Sequence, residues 1–478
     1  MLFNSLEFII FLPIVYLLYW FVFNKNLKWQ NSLLLVASYV FYGWWDWRFL
    51  FLILISTFVD YFIALSLDKT DDEKRRKYLK YLSIAVNIGI LGTFKYFNFF
   101  IDSFADLLNV FNLHVSLPAL KIILPVGISF YTFQTLGYTL DVFKKKFKAE
   151  KELLNFMVYV CFFPQLVAGP IERARNLMPQ FKQVRRFSRA EASDGLRLIL
   201  IGLFKKVVLA DNLAQAVDYI FANYTEVNPL ILFLGGNLFL VQIYFDFAGY
   251  SDIAIGTAKL FGFKLMKNFD FPFYTANGQQ FWNRWHISLT YWFRDYLLLS
   301  LKSSFKNRFR FGVNFVLTLS LIGFWHGANW TFIMFGFVSG LYVMPAFIWR
   351  KQFKKMVIPR DSFPTLKNFS IMIFLFTLYA IPAIFFRSPN LTNTIDYFKY
   401  MFINFKKDYL LAIPEIVADN IHWFIVPLIL EWFLRNREHS LDIIHLKKPI
   451  RWAIYILLIL ILISYGEFHY KQFIYFQF

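Results

Sequence analysis

Residues Phe311–Trp349 read FGVNFVLTLSLIGFWHGANWTFIMFGFVSGLYVMPAFIW. No Asp, Glu, Lys or Arg interrupts them, and basic residues stand at both ends, Arg308 and Arg310 before and Arg350 and Lys351 after. A helix on the surface of a soluble protein keeps a charged face towards water. The two runs here, Phe311–Phe324 and Thr331–Trp349, have none, so lipid must serve as their solvent. Between them stands Trp325-His326-Gly327-Ala328-Asn329-Trp330. An ionisable side chain at that depth is costly and is a candidate functional group.

The rest of the chain repeats the pattern. Of its 478 residues, 58% are hydrophobic, 22% aromatic and only 17% charged, with a mean hydropathy of +0.47. Soluble domains sit near roughly 45–50% apolar and about 25% charged. Too few polar residues remain to coat a soluble fold of this size. Apolar runs at Leu6–Phe23, Ser32–Trp45, Trp47–Leu67, Tyr81–Ile101, Lys121–Asp141, Gly195–Phe221, Leu230–Leu260, Phe369–Phe386, His422–Leu434 and Ile450–Tyr465 join the two above. The expectation is an all-α, polytopic protein with about twelve spans, forming one membrane domain over residues 1–478.

The formal charge is +19, from 50 Lys and Arg against 31 Asp and Glu. These charges fall in short clusters between apolar runs: Lys25/Lys28, Lys74–Lys80, Lys144–Lys148, Lys302–Arg310, Arg350–Lys355 and Arg435–Arg437. Such spacing fits cytoplasmic loops under the positive-inside rule and argues against nucleic acid as a partner. Trp44, Trp45 and Trp47 then make an aromatic belt at an outer turn, and Pro389–Pro414 reads as an outer loop. The one cysteine, Cys161, lies in an apolar run, which suits packing better than thiol chemistry. Phe3–Phe23 carries no basic leader, so it reads as a retained span.

Two apolar segments break the alternation, because each has basic residues on both flanks. Leu153–Ala168 runs into Pro164-Gln165-Leu166-Val167-Ala168-Gly169-Pro170, and Phe281–Leu301 lies between Lys264/Lys267 and Lys302–Arg310. Both read as re-entrant or interfacial helices. Irregular backbone at membrane depth is tolerated where protein or a wet cavity satisfies it, so the pair implies a central tunnel open towards the cytoplasm.

Three clusters carry groups suited to chemistry. At His326 an imidazole is the natural general base near neutral pH, able to take a hydroxyl proton as an acyl carbonyl is attacked. Gly327 and Ala328 leave room for a substrate, and Asn329 is placed to orient the imidazole or an oxyanion. A structural histidine bonded to a carbonyl is the other reading. In Phe281–Asp295 a helical period sets Trp282, Trp285, Leu289, Trp292 and Phe293 on one face. Arg284, Ser288, Tyr291 and Asp295 fall opposite, with His286 at the edge. The segment is either an interfacial helix or one lining the cavity with Asn283 and its polar stripe, where Arg284 or Arg294 meets a phosphate-bearing donor. In Tyr244–Asp252, Asp246 and Asp252 are about 600° apart on a helix and so are no acid/base pair. They either orient a histidine, pair an arginine, or form a structural ion pair.

At these residues the chain resembles the membrane-bound O-acyltransferase family, and is similar to its bacterial branch containing the alginate O-acetyltransferase membrane subunit. The resemblance lies in Phe163–Arg173, Tyr244–Gly256, Asn268–Pro272, Phe281–Tyr296 and Gly323–Trp330, in that order, and is strongest over residues 120–350. It departs at Leu301-Lys302-Ser303-Ser304, where a Leu-Gly-Gly turn is usual. It departs again at Phe335-Gly336-Phe337-Val338-Ser339-Gly340, where Trp-Gly-x-x-His-Gly often stands.

The resemblance implies an O-acyltransferase of the bacterial cytoplasmic membrane with His326 as the catalytic histidine and His286 as the second, lining a tunnel. Asp246, Tyr250, Ser251, Asp252, Asn283, Arg284, Trp285, Arg294, Asp295, Trp325 and Asn329 are the accompanying substrate-binding or tunnel-lining candidates. It also implies acetyl-CoA as donor with no bound cofactor, a polysaccharide acceptor, and an extracytoplasmic esterase-like partner. The alternatives are a teichoic acid D-alanyl transferase fed by an acyl carrier protein, and a non-enzymatic lipid or polysaccharide transporter.

Overall fold

The computed structural model describes residues 1–113, 123–301, 307–354, 356, 358, 364–403, 413–468, 473 and 474. His114, His469 and most of the Lys302–Arg310 cluster lie outside these. Among the described residues the regular structure is helical, with no strand. The chain divides into two compact units, one of Met1–Gly195 with Ala254–Met266 and one of Leu196–Ile253 with Lys267–Phe478.

Seven helical stretches among the described residues are long and apolar enough to cross a membrane. This differs from the twelve runs read in the sequence, for local reasons. Two of those runs, Ser32–Trp45 and Trp47–Leu67, fall within one stretch, Leu27–Lys69. Inside it Asp46 turns extended, at φ −162° and ψ 110°, and its carboxylate accepts the N–H of Arg48. Trp44, Trp45 and Trp47 are exposed at this break, as an aromatic belt requires. The run at Lys121–Asp141 becomes helix only from Ile128, and Leu6–Val22 is shorter than a full span.

In the first unit, Leu153–Cys161 is a helix of nine residues, which rises only about 14 Å and cannot cross a core roughly 30 Å thick. The Phe162–Arg173 stretch after it is buried but not helical. Side chains satisfy its surroundings: the Tyr159 hydroxyl donates to the Glu172 carbonyl at 3.2 Å, and the Gln165 amide to the Tyr159 carbonyl at 3.3 Å. The Glu172 carboxylate accepts the N–H of Met266.

In the second unit, the helices Arg308–His326 and Trp330–Ile348 form a close hairpin. A Cβ on Gly340 would meet Val316 Cα at 2.7 Å, and Cβ atoms on Gly323 and Gly336 would run into the carbonyls of Phe332 and Leu319. Small residues let membrane helices approach backbone to backbone. Gly336 and Gly340, the two glycines kept where the family pattern is otherwise broken, are contact points of this hairpin. Pro389–Pro414 is not simply a loop, since Leu391–Ile403 is a helix.

Candidate functional site

The site is assembled within the second unit. Arg308–His326 ends at His326, where Gly327 turns extended. The His326 ring is buried among Trp325, Phe386 and Phe335, with ring centroids at 5.0, 5.2 and 6.0 Å. His286 comes from the segment expected to be one amphipathic helix, and the structure corrects that expectation. Gly278–Trp282 and Ile287–Tyr296 are separate helices, and between them His286 adopts a left-handed conformation, φ 42° and ψ 56°. A β-carbon makes that region costly, by roughly 1 kcal/mol or more, so the surroundings must hold it.

Asn268 supplies the hold. Its carbonyl accepts the N–H of Ile287 at 2.8 Å, its side-chain oxygen accepts the Ser288 hydroxyl at 2.6 Å, and its amide donates to Ser251 Oγ at 2.9 Å. The buried Ser251–Asn268–Ser288 chain thus ties the His286 turn to the long helix Pro229–Leu260. That helix also presents Phe247 edge-on to His286 at 4.6 Å. The His286 and His326 rings lie 6.1 Å apart, and Trp325 neighbours both.

The aromatic face read from the sequence is buried: Trp282, Trp285, Leu289, Trp292 and Phe293 all lie inside the protein. Trp285 packs against Phe269, Phe281 and Tyr244. Of the expected polar stripe, Ser288 is buried while Arg284, Tyr291 and Asp295 are half-buried, and Asn283 beside it is exposed. Arg284 donates to the Tyr274 carbonyl at 3.1 Å. Arg294 is exposed at the far end of its helix, 2.9 Å from Asp295 and stacked over Tyr291.

Other candidates take different work. Asp246 accepts from Lys206 at 2.5 Å and from the Ile474 N–H, and Asp252 accepts from Lys205 at 2.9 Å. Of the readings open for these carboxylates, the structure shows the ion pair, with lysines as partners rather than a histidine or an arginine. Tyr250 is buried against Phe473. Asn329 caps Trp330–Ile348 by accepting the Thr331 N–H, and its amide donates to the Pro389 carbonyl at 2.9 Å. The space beside Gly327 is filled by the Phe332 ring, so it is not left open for substrate.

The sequence reading named neither lysine. Both are buried, in the stretch Phe204–Ala210 where the helix loosens to a π-turn. Lys206 also meets Asp211, and Lys205 lies 3.7 Å from Glu431, whose carboxylate accepts the Tyr244 hydroxyl. The signal was present: a Lys-Lys pair inside one apolar run, two Asp in another, and a lone Glu in a third.

Comparison with known proteins places this geometry. Residues 142–386 match the model of the membrane-bound O-acyltransferase family, a range that holds both histidines, Asn268 and Phe386. A protein of Azotobacter vinelandii named "Probable alginate O-acetylase" is 36% identical over 394 residues, 82% of this chain and 76% of its own length. The "Peptidoglycan O-acetyltransferase" of Helicobacter pylori is 32% identical over 84% of this chain and 80% of its own length. The "Teichoic acid D-alanyltransferase" of Streptococcus thermophilus is 31% identical over 49% of this chain and 59% of its own length. With its middle half matched to the family and most of its length shared with such relatives, the chain belongs to the membrane-bound O-acyltransferases and is an O-acyltransferase.

Proposed function

We propose that the chain transfers acetyl groups to hydroxyls of an exported or cell-envelope polysaccharide, with His326 as general base. The observation that carries this reading is the placement of His326 and His286, with ring centroids 6.1 Å apart in a cup of aromatic side chains. In the proposed step, an imidazole nitrogen of His326 takes the acceptor hydroxyl proton. The oxygen forms a new C–O bond to the acetyl carbon as the C–S bond of the donor breaks. The proton passes to the departing thiolate, so an ester and a free thiol result. His286, fixed in its turn by Asn268, is the second group to face the reacting carbonyl.

Acetyl-CoA from the cytoplasm is the proposed donor, and the bacterial cytoplasmic membrane the proposed location. Acceptor and donor reach the histidines by a tunnel, and an extracytoplasmic esterase-like protein is the proposed partner. The names of the relatives that share most of the chain's length support a polysaccharide acceptor. The D-alanyl alternative draws on a relative sharing about half the chain, so it stands second. Family membership sets the non-enzymatic transporter reading aside.

The test is mass spectrometry of envelope polysaccharide from cells carrying His326→Ala in place of the native chain. Loss of polymer acetylation, with the variant inserted and the polymer still exported, supports the proposal. Acetylation at the native level overturns it. Loss of D-alanyl ester in place of acetyl selects the alternative.

A further inference from the structure

Away from the histidines, the second unit carries an apolar groove of about 690 Å3. Its walls are the first turns of the helix Leu366–Arg387 and the last turns of the helix Glu415–Leu434. The two run in opposite directions along it. Phe376 meets Phe424 at 6.1 Å, whereas Met372, one turn earlier, shares a cluster with Trp432, two turns later. The floor is Phe273 and Tyr274. Tyr274 packs edge-on to Trp432 and donates its hydroxyl to the Leu428 carbonyl, which closes the floor against the wall.

Among the described residues, no charged side chain lines this groove. Both walls belong to stretches able to cross a membrane, and Phe369, Ile373, Ile429 and Phe433 remain exposed along it. It therefore opens to lipid. From Leu366 to Phe376 a helix rises about 15 Å, half of a hydrocarbon core of roughly 30 Å, so the groove occupies one leaflet. Positive charge gathers at its outer end. Lys367 adjoins Leu366, while Arg435 and Arg437 follow Phe433. Arg435 is buried, its guanidinium 3.6 Å from the centroid of Trp432, a wall residue, so the exposed charges at this end are Lys367 and Arg437. Basic clusters of this kind face the cytoplasm, where the leaflet holds anionic lipid.

We infer that this groove is a binding site for an anionic glycerophospholipid of the cytoplasmic leaflet. One acyl chain lies between the two helices, and the phosphate sits at the exposed Lys367 and Arg437 on the rim. The floor links the lipid to the histidine segment, because Phe273 also packs on Tyr244 and on Trp285, the residue before His286. Neither His286 nor His326 lines the groove, so the lipid site does not depend on which polymer is acylated.

The test uses the full chain in mild detergent, with dioleoyl phosphatidylglycerol or dioleoyl phosphatidylethanolamine added, read by native mass spectrometry. Phosphatidylglycerol is expected to be retained in preference to phosphatidylethanolamine. Lys367→Gln with Arg437→Gln, both at exposed positions, should lower that preference by roughly fivefold for each charge removed. Ile373→Trp, which fills the groove, should lower retention of phosphatidylglycerol while the rim stays intact. Equal retention of the two lipids by the native chain overturns the inference. So does native phosphatidylglycerol retention by the rim variant, whose substitutions leave the helix packing untouched.

Discussion

The His286 and His326 rings lie 6.1 Å apart, and Trp325 neighbours both. The two imidazoles come from unlike backbones. One ends a regular helix; the other sits in a left-handed turn between two short helices. Their roles should separate in kinetics. General-base catalysis contributes typically about 10²–10⁴-fold, so His326→Ala should lose at least about 10²-fold in acyl transfer to a hydroxyl acceptor. A decrease of less than tenfold in purified, correctly inserted protein would remove His326 from the chemistry.

Asn268 is a positioning residue, since it acts on His286 through the backbone. Its three bonds reach Ile287, Ser288 and Ser251. Asn268→Ala keeps the carbonyl but leaves buried hydroxyls without their partner, at about 1–3 kcal/mol. The expected result is a fall in kcat with KM little changed, because the donor and acceptor contacts remain. A change confined to KM would contradict this role.

The membrane character of the chain and its helical class were legible from local patterns, as was the unusual setting of His326, whereas His286 entered as a catalytic candidate only through the family resemblance. The uncharged run Phe311–Trp349 needed no tertiary knowledge, nor did the grouping of Trp282, Trp285, Leu289, Trp292 and Phe293, whose burial only the structure shows. What failed depended on backbone departures. A period of 100° per residue was assumed through Asn283–His286, where the helix breaks, so Ser288 was assigned to the wrong side. Lys205 and Lys206 stand in a stretch buried on every side, so no one-sided pattern marks them, and only their charge within an apolar run does. Asn329 and Gly327 were misjudged because their partners, Pro389 and Phe332, are set by packing.

The lysine network should govern stability. Lys206 is buried and bonded to both Asp246 and Asp211. Removing one partner of a buried pair strands a charge, at about 3–5 kcal/mol. Lys206→Met should therefore unfold at markedly lower temperature than the native chain in the same detergent. The double variant Lys206→Met with Asp246→Leu should recover part of the loss. Equal melting of the single variant and the native protein would show that the pair contributes nothing measurable.

The hairpin that carries His326 gives the sharpest geometric test. Gly336 faces the Leu319 carbonyl and Gly340 the Val316 backbone, so a side chain at either position must push the helices apart. Rigid backbone lies opposite in both cases, which leaves no flexible side chain to yield. Gly89, in the helix Glu73–Leu91, provides the control, because a Cβ there meets nothing within 4 Å. Gly89→Ala should leave activity and melting temperature near native, since an exposed helical Gly→Ala change is worth about 1 kcal/mol at most. Gly340→Ala should lower both, and Gly336→Val should lower them further, because overpacking costs about 1–3 kcal/mol and displaces the helix ending in His326. Native activity in Gly336→Val would mean that the position of the imidazole does not depend on the close approach of these two helices.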